Sequence, residues 1–584
     1  MSLTKENERN MISQTDRQTD RQTDRQTEHE LTGYPSIDKP WLKYYSEEAI
    51  QAELPECTMY DFVYQENQSN LSHTALDYFG KKISYQQFFE KVNEFAKAFQ
   101  ACGIKKDDVV TIMSLHTPET ICSIYALNQL GAIVNLIYMT LNTDEILKQT
   151  NEAESKAFLY LEITSDKVKK IRSKLKAEQI ICLPIWWSMP FLLRRIARVK
   201  SKIDKSLEEF LAKGRQEKEI KKVQYQPNMP AVIVYTSGTT GEPKGVLHTN
   251  DSLNAIAFQY KLTDMGLTAN SRVLNAIPPF LGFGIAVGIH TQFVLGLEGI
   301  LQIDPNADAV AKAMMKKKPE HMITGPAFIS AIVKSCKGNM NWLKTLAGGG
   351  GAISDEEEKK LNKILAKHHA TVKYTVGYGM TELGATVCTN MNRCNRSGSL
   401  GIPLPKVNVK IINPETKEEL GYGEKGEICF SSPSIMWKYV KDIKETEKVI
   451  WIENGEKWIH TGDLGYVQKD GFLYFAGRIK RIYITRGKDG IVYKLFPDRI
   501  ENVLRKCDSI KQAAVNVVED EKRVHVARAY IVLEDDQKCD MNRIADTLRK
   551  QLPEYAVPGE INIIEKMPVT QSGKVDYRAL EYMQ

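Results

Sequence analysis

From Trp41 onward the apolar positions fall into strand-length runs and helical stripes. Residues 108–114 read as a strand, residues 118–130 as a helix and residues 131–135 as the next strand, a βαβ unit that implies a parallel sheet. Residues 231–235 form another buried run, entered from Pro230, that passes straight into a Gly/Thr-rich loop. Residues 355–369 read as a charged helix, followed by a strand over 372–376 and a second Gly-containing loop. The pattern changes after Gly477. Arg478-Ile479-Lys480-Arg481 is basic and loop-like. Beyond it come a helix (497–507), two strands (513–518 and 527–533) and a helix (541–552), a small α+β unit of about a hundred residues. The predicted fold class is therefore α/β: a large multi-layer N-terminal domain with parallel sheets (31–479), joined by a hinge to a small α+β C-terminal domain (480–584).

Residues 1–30 carry the repeat Thr15-Asp16-Arg17-Gln18, Thr19-Asp20-Arg21-Gln22, Thr23-Asp24-Arg25-Gln26. With no apolar face it predicts a disordered tail. Residues 273–297 hold no Asp, Glu, Lys or Arg, but they include Asn275, Pro278-Pro279, His290 and Gln292. A membrane span disfavours such a centre, so a buried strand–loop–helix core is expected there.

Composition narrows the classes. Lys plus Arg is 79 against 73 Asp plus Glu, a net charge of +6, too mild at 584 residues to point to nucleic acid. The ten cysteines form no CxxC pair, and scattered thiols in a long chain suggest a reduced, cytoplasmic setting. No secretory or transit signal is evident.

Tyr235-Thr236-Ser237-Gly238-Thr239-Thr240-Gly241-Glu242-Pro243-Lys244-Gly245 packs three glycines, four hydroxyls and a lysine into one turn. Glycines let backbone N–H groups approach an anion, hydroxyls donate to phosphate oxygens, and Lys244 supplies positive charge. It is not a Walker A loop, because Gly245 follows the lysine.

The segment resembles the signature of the adenylate-forming superfamily, which includes acyl-CoA synthetases, luciferases and peptide-synthetase adenylation domains. Four further motifs follow in that family's order: Gly377-Tyr378-Gly379-Met380-Thr381-Glu382, His460-Thr461-Gly462-Asp463-Leu464-Gly465, Gly477-Arg478, and Pro568-Val569-Thr570-Gln571-Ser572-Gly573-Lys574. The resemblance spans residues 40–584. It implies an ATP site of Thr236, Ser237, Gly238, Thr239, Thr240, Lys244, Gly350, Gly377, Tyr378, Gly379, Met380, Thr381, Asp463, Arg478 and Lys574. Tyr378 would stack on adenine, Thr381 would meet the α-phosphate, Asp463 would accept both ribose hydroxyls, and Glu382 would hold Mg²⁺. Thr239, Lys244, Glu382 and Lys574 would carry the catalytic step, with Lys480 as the hinge about which the small domain turns to admit a thiol. ATP, Mg²⁺ and coenzyme A are the implied cofactor set.

The chemistry agrees. A carboxylate is already ionised at neutral pH and needs no general base to attack the α-phosphorus; it needs its charge, and that of the leaving pyrophosphate, neutralised. One stretch departs from the family: Lys488-Asp489-Gly490-Ile491-Val492-Tyr493-Lys494 is an apparent insertion. It fits a carrier-protein acceptor in place of coenzyme A, or simply a longer hairpin.

The implied acyl pocket comprises Phe280, Leu281, Phe283, Gly284, Gly349 and Gly350. Leu281 stands where amino-acid-activating relatives place Asp and aryl-acid ligases often place His, and a buried ammonium without a partner is costly. The apolar, glycine-rich lining resembles the fatty-acid branch, with an aryl-acid–CoA ligase as the alternative. Residues 191–203 add a stripe of Leu192, Ile196, Val199 and Ile203 roughly opposite Arg194, Arg195, Arg198 and Lys202, after Trp186-Trp187. That pattern fits a helix lying on an anionic membrane surface, and equally one covering its own domain. A non-enzymatic nucleotide binder is disfavoured by the intact set Lys244, Glu382, Asp463, Arg478 and Lys574.

Overall fold

A computed structural model describes residues 31–200, 206–236, 243–349, 355–481, 483–486, 488, 492–520, 522–534, 540–570 and 573–583. The repeat in residues 1–30 lies outside them. So do Ser237, Gly238, Thr239 and Thr240 of the phosphate loop, and Gly350.

The predicted βαβ unit is present. Strands Val109–Met113 and Ile133–Leu136 pair in parallel across helix Pro118–Gln129. That helix starts where Thr117 accepts the Thr120 N–H and Pro118 fills the first turn, and all twelve of its residues are buried. Enclosed on every side, it also buries Glu119, Thr120, Ser123, Asn128 and Gln129.

The large N-terminal part is built on two sheets with parallel cores. In the first, nine strands lie in the order Ile402–Pro403, Cys388–Thr389, Tyr374–Tyr378, Thr345–Gly348, His321–Thr324, Arg272–Asn275, Glu298–Leu301, Thr74–Tyr78 and Lys81–Ser84. The strands from Tyr374–Tyr378 through Thr74–Tyr78 are mutually parallel. The second holds Lys438–Tyr439, Gly245–Thr249, Pro230–Tyr235, Ile133–Leu136, Val109–Met113, Ala157–Leu161 and Gln179–Leu183. A third, antiparallel sheet centres on the long strand Glu456–Val467.

The small C-terminal domain has its own three-stranded sheet, Ile510–Asp520, Val524–Leu533 and Glu560–Ile563, covered by helices Pro497–Leu504 and Met541–Gln551. Leu495, Ile500, Leu504, Ile531 and Leu548 form its separate apolar core.

Two local expectations shift. The strand expected over 372–376 runs instead through Tyr374–Tyr378, so Gly377 and Tyr378 close a strand rather than open a loop. The cause is a tertiary one: Gly377 pairs with Thr389 across an antiparallel ladder. Asp489, Gly490 and Ile491 of the apparent insertion lie outside the described residues; its strand Val492–Leu495 pairs antiparallel with Tyr483–Arg486, in line with the longer-hairpin alternative, and its Tyr493 ring stacks on Tyr555 at 4.1 Å. Residues 273–297 are a strand and a buried helical segment, as expected. Gly284–Thr291 is π-helical, with the Thr291 hydroxyl donating to the Ala286 carbonyl at 2.8 Å. Among the described residues no helix is long and apolar enough to cross a membrane.

Candidate active site

The motifs converge at the carboxyl ends of the parallel strands, where open α/β sheets bind ligands. The phosphate loop leaves strand Pro230–Tyr235 and returns as Gly245–Thr249. Its base is closed twice: Thr236 N–H donates to the Lys244 carbonyl at 3.0 Å, and Lys244 N–H donates to Thr236 Oγ1 at 3.1 Å. Gly348, Gly349 and Gly377 end neighbouring strands of the first sheet.

Lys244 does not reach into open space. Its ammonium meets Glu445 at 2.5 Å and lies 4.9 Å from the centre of the Tyr439 ring. The lysine holds the Glu445 carboxyl down to about 2. Tyr439 in turn donates to Glu382 Oε1 at 2.7 Å. Burial pushes the Glu382 pKa up, while the charges of Lys574 and Lys244 pull against it. A buried carboxylate oxygen short of positive charge is the donor a hard divalent cation needs, so the residues present fit Mg²⁺.

Asp463 sits on Glu456–Val467 next to a register irregularity at Leu464/Gly465. Gly462 turns the chain there with φ +70°, and its N–H donates to Glu427 Oε1 at 3.1 Å. The other Glu427 oxygen meets His460 Nδ1 at 3.0 Å, so Glu427 clamps both sides of the turn. Asp463 accepts from the Tyr378 hydroxyl at 2.6 Å and pairs with Arg478 Nε at 3.2 Å. Burial raises its pKa, and Arg478 opposes that rise.

Lys574 comes to this cluster from the far end of the small domain. Water reaches it, yet protein walls it closely enough that desolvation lowers its pKa. The Arg478 charge lowers it further, and Asp463 and Glu382 raise it. The fold thus gathers Lys244, Glu382, Asp463, Arg478 and Lys574 around one cleft.

The expected acyl loop abuts the adenylate motif. Phe280 is buried, with its ring 4.8 Å from that of Tyr138. A Cβ on Gly282 would touch Thr381 at 3.4 Å. Among the described residues, a Cβ on Gly349 would meet only the Gly377 carbonyl at 3.4 Å, whereas one on Gly284 would strike the Pro278 carbonyl at 1.8 Å. Gly284 therefore serves a close backbone approach, and Gly349 leaves volume in the cleft.

At the hinge, Lys480 lies in the single helical turn Ile479–Arg481. Before it, Arg478 holds Asp463. After it, Arg481 bonds Asp498, Glu501 at 2.8 Å and the Val515 carbonyl at 2.7 Å, and lies 4.1 Å from the Tyr577 ring centre. Asp498 also accepts the Arg478 N–H at 3.1 Å, across the hinge.

Tyr439, Glu445, Glu427 and Asp498 escaped the sequence reading. Each lies outside a glycine-rich motif, and a lone acid or tyrosine in a polar stretch carries no local signal.

This fold and cleft define an enzyme that forms adenylates from ATP. The chain matches the AMP-binding enzyme over residues 63–440 and the AMP-binding enzyme C-terminal domain over residues 499–574. It belongs to the AMP-binding enzyme family, as an acid–thiol ligase. It is 27% identical over 566 residues to the long-chain-fatty-acid–CoA ligase of Bacillus subtilis (strain 168), covering 93% of this chain and 97% of the relative. It is 27% identical over 515 residues to the 2-succinylbenzoate–CoA ligase of Listeria monocytogenes serotype 4b (strain F2365), covering 87% and 96%. Its fold matches that of ATP-bound MatB from Rhodopseudomonas palustris with a TM-score of 0.78 at 19% identity, covering 90% of this chain and 98% of that one.

Proposed function

We propose that the chain activates a fatty acid: ATP-dependent formation of the acyl-AMP, then transfer of the acyl group to coenzyme A. The observation that carries the first step is the convergence of Lys244, Glu382, Asp463, Arg478 and Lys574 on one cleft, with Lys574 supplied by the small domain.

A carboxylate oxygen attacks the α-phosphorus, the bond to the bridging oxygen breaks, and pyrophosphate leaves. Lys574 offsets charge on the attacking carboxylate, and Lys244 does so on the distal phosphates once ATP displaces Glu445. Glu382 would hold Mg²⁺, which would supply neutralisation of phosphate charge when bound. Asp463 and Arg478 hold the ribose side, and Tyr378, tethered to Asp463 through its hydroxyl, offers its ring to adenine. A thiol sulfur then attacks the acyl carbon and loses its proton, and AMP departs. Lys480 is the pivot for that second arrangement, and the boundary between 479 and 480 follows from it.

Several features support a fatty acid over an amino or aryl acid: Leu281 at the position that other branches fill with a polar group, the volume beside Gly349, and the likeness to a long-chain ligase. Coenzyme A is favoured over a carrier protein by the CoA ligases that the chain resembles over 87–93% of its length. The test is pyrophosphate release over a graded series of straight-chain acids, a succinylbenzoate and a coumarate, followed by thioester formation with coenzyme A or a phosphopantetheinyl carrier. Turnover that rises with chain length and requires coenzyme A upholds the reading. Preference for an aryl acid, or for the carrier, overturns it.

A further inference from the structure

The helix Phe191–Lys200 is packed the wrong way round for a soluble protein. Phe191, Leu192, Ile196 and Val199 are 75%, 73%, 58% and 83% exposed. Arg194 and Arg198 instead face the body. The Arg194 guanidinium lies 5.2 Å from the Trp187 ring centre and 5.8 Å from that of Trp186, and Arg198 lies 5.7 Å from Trp186 and 3.8 Å from Glu208. Ordinary amphipathic helices turn their apolar stripe to the core. Leaving four large apolar side chains in water on one helix marks a surface that is covered in use.

The neighbouring hairpin tip continues this surface. The Tyr78 hydroxyl bonds the Ile185 carbonyl at 2.7 Å, just before the tryptophan pair, and the next residue, Phe79, is 43% exposed beside exposed Lys81 and Lys82. Lys81 has a lowered pKa; burial is the first cause, and the charges of Lys91 and Arg194 add to it. Positive charge is thus concentrated where the apolar side chains emerge. Acids are present too: Glu208 meets Arg198, and Glu90 and Glu94 line a hollow with Lys81 and Lys91. Among the described residues no acid pairs with the exposed Arg195.

We propose that this helix, with the Phe79 tip, docks the enzyme on an anionic phospholipid surface. Apolar side chains would enter the headgroup–acyl boundary, while Arg195 and Lys81 meet lipid phosphates. A second copy of the chain is a poorer occupant. A symmetric pair of these helices would bring the exposed Arg195 of each copy toward the other. The docking is separable from the identity of the acid, although a bilayer is where a fatty acid resides.

The test uses the full chain in a flotation assay with vesicles of phosphatidylcholine alone, or mixed with phosphatidylglycerol. The wild type is expected to float with the mixed vesicles, less so at high salt, and scarcely with phosphatidylcholine alone. The triple variant Leu192→Ser, Ile196→Ser, Val199→Ser should lose binding by on the order of a hundredfold. Arg195→Glu should weaken binding to anionic vesicles by about fivefold. Both should retain wild-type turnover of a short, water-soluble acid, which separates docking from catalysis. The proposal is overturned if the wild type stays with the soluble fraction, or if the triple variant floats equally well. It is also overturned if sedimentation shows a wild-type dimer that the variant dissolves with no vesicle binding in either.

Discussion

Lys574 is the residue whose charge is most dependent on its place. Desolvation and Arg478 lower its pKa, while Asp463 and Glu382 hold its proton. In the mechanism we propose, its ammonium is needed where a carboxylate approaches a phosphate, and that need would end once acyl-AMP has formed. Lys574→Ala should therefore reduce acyl-AMP formation by at least about a hundredfold and leave conversion of supplied acyl-AMP to the thioester within a few-fold of wild type. Equal loss in both half-reactions, measured by pyrophosphate release and by thioester formation, would assign the lysine a structural role. Gly349 admits a side chain, since among the described residues an added Cβ meets only one carbonyl at van der Waals distance. Gly349→Leu should fill the cleft and cost long acids about 1–3 kcal/mol relative to short ones, roughly a five- to hundredfold change in selectivity. Parallel loss for every acid, with ATP affinity also reduced, would instead tie the glycine to the neighbouring Gly377 carbonyl. The motif residues of this site were legible in the sequence because phosphate binding demands glycine, hydroxyl and lysine close together. Their partners were not: Glu445 on Lys244 and Glu427 on Gly462 are contacts between distant segments.

Among the elements, the hinge turn Ile479–Arg481 joins two parts that are each firmly held. Arg478 is tied to Asp463 on one side, and Arg481 is locked into the small domain by Asp498, Glu501 and Tyr577 on the other. A rotation of the small domain, as proposed, would be confined to the backbone between them and would have to break the Asp498 bond to the Arg478 N–H. Lys480→Pro fixes φ at that point. It should slow thioester formation at least about tenfold while acyl-AMP formation, for which the present arrangement is already assembled, stays within a few-fold. Unimpaired thioester formation would move the pivot elsewhere. Element existence was well marked by periodicity in Met541–Gln551, where cap and stripe agree, and by the Thr117 cap and Pro118 in Pro118–Gln129. The end of Tyr374–Tyr378 was not, because a ladder partner outside the segment extends it.

At the scale of the whole molecule, several histidines are enclosed by the packed layers in their neutral form. Burial lowers His116, His248 and His321 to about 4 and His290 to about 3, from 6.5. Each folded pKa lies below the unfolded one. Between pH 6.5 and about 4 the unfolded chain therefore binds protons that the native chain refuses, and stability falls as pH falls. Each histidine adds a slope of up to about 1.4 kcal/mol per pH unit in that window. Unfolding near pH 5.5 should take up protons, seen as a calorimetric enthalpy that varies with the ionisation enthalpy of the buffer, and the thermal midpoint should drop steeply below pH 6. A midpoint flat from pH 7 to 5 would mean that these rings are protonated in the fold.

The sequence alone determined the order of parts: a Gly/Thr-rich loop after a buried strand, the motif at 377–382, Asp463, a basic link after Gly477 and a terminal Lys574. These are local demands, met by residues a few positions apart. Only the tertiary structure decided which distant groups meet. It brings Lys574 of the small domain to Glu382 and Asp463, closes Lys244 onto Glu445, and gives Arg481 its acids. It also decided the sense of the helix Phe191–Lys200. Periodicity shows that a helix has an apolar stripe, but which way the stripe faces is set by what packs beside it. Here Trp186 and Trp187 take the arginines, and the leucine face is left to water.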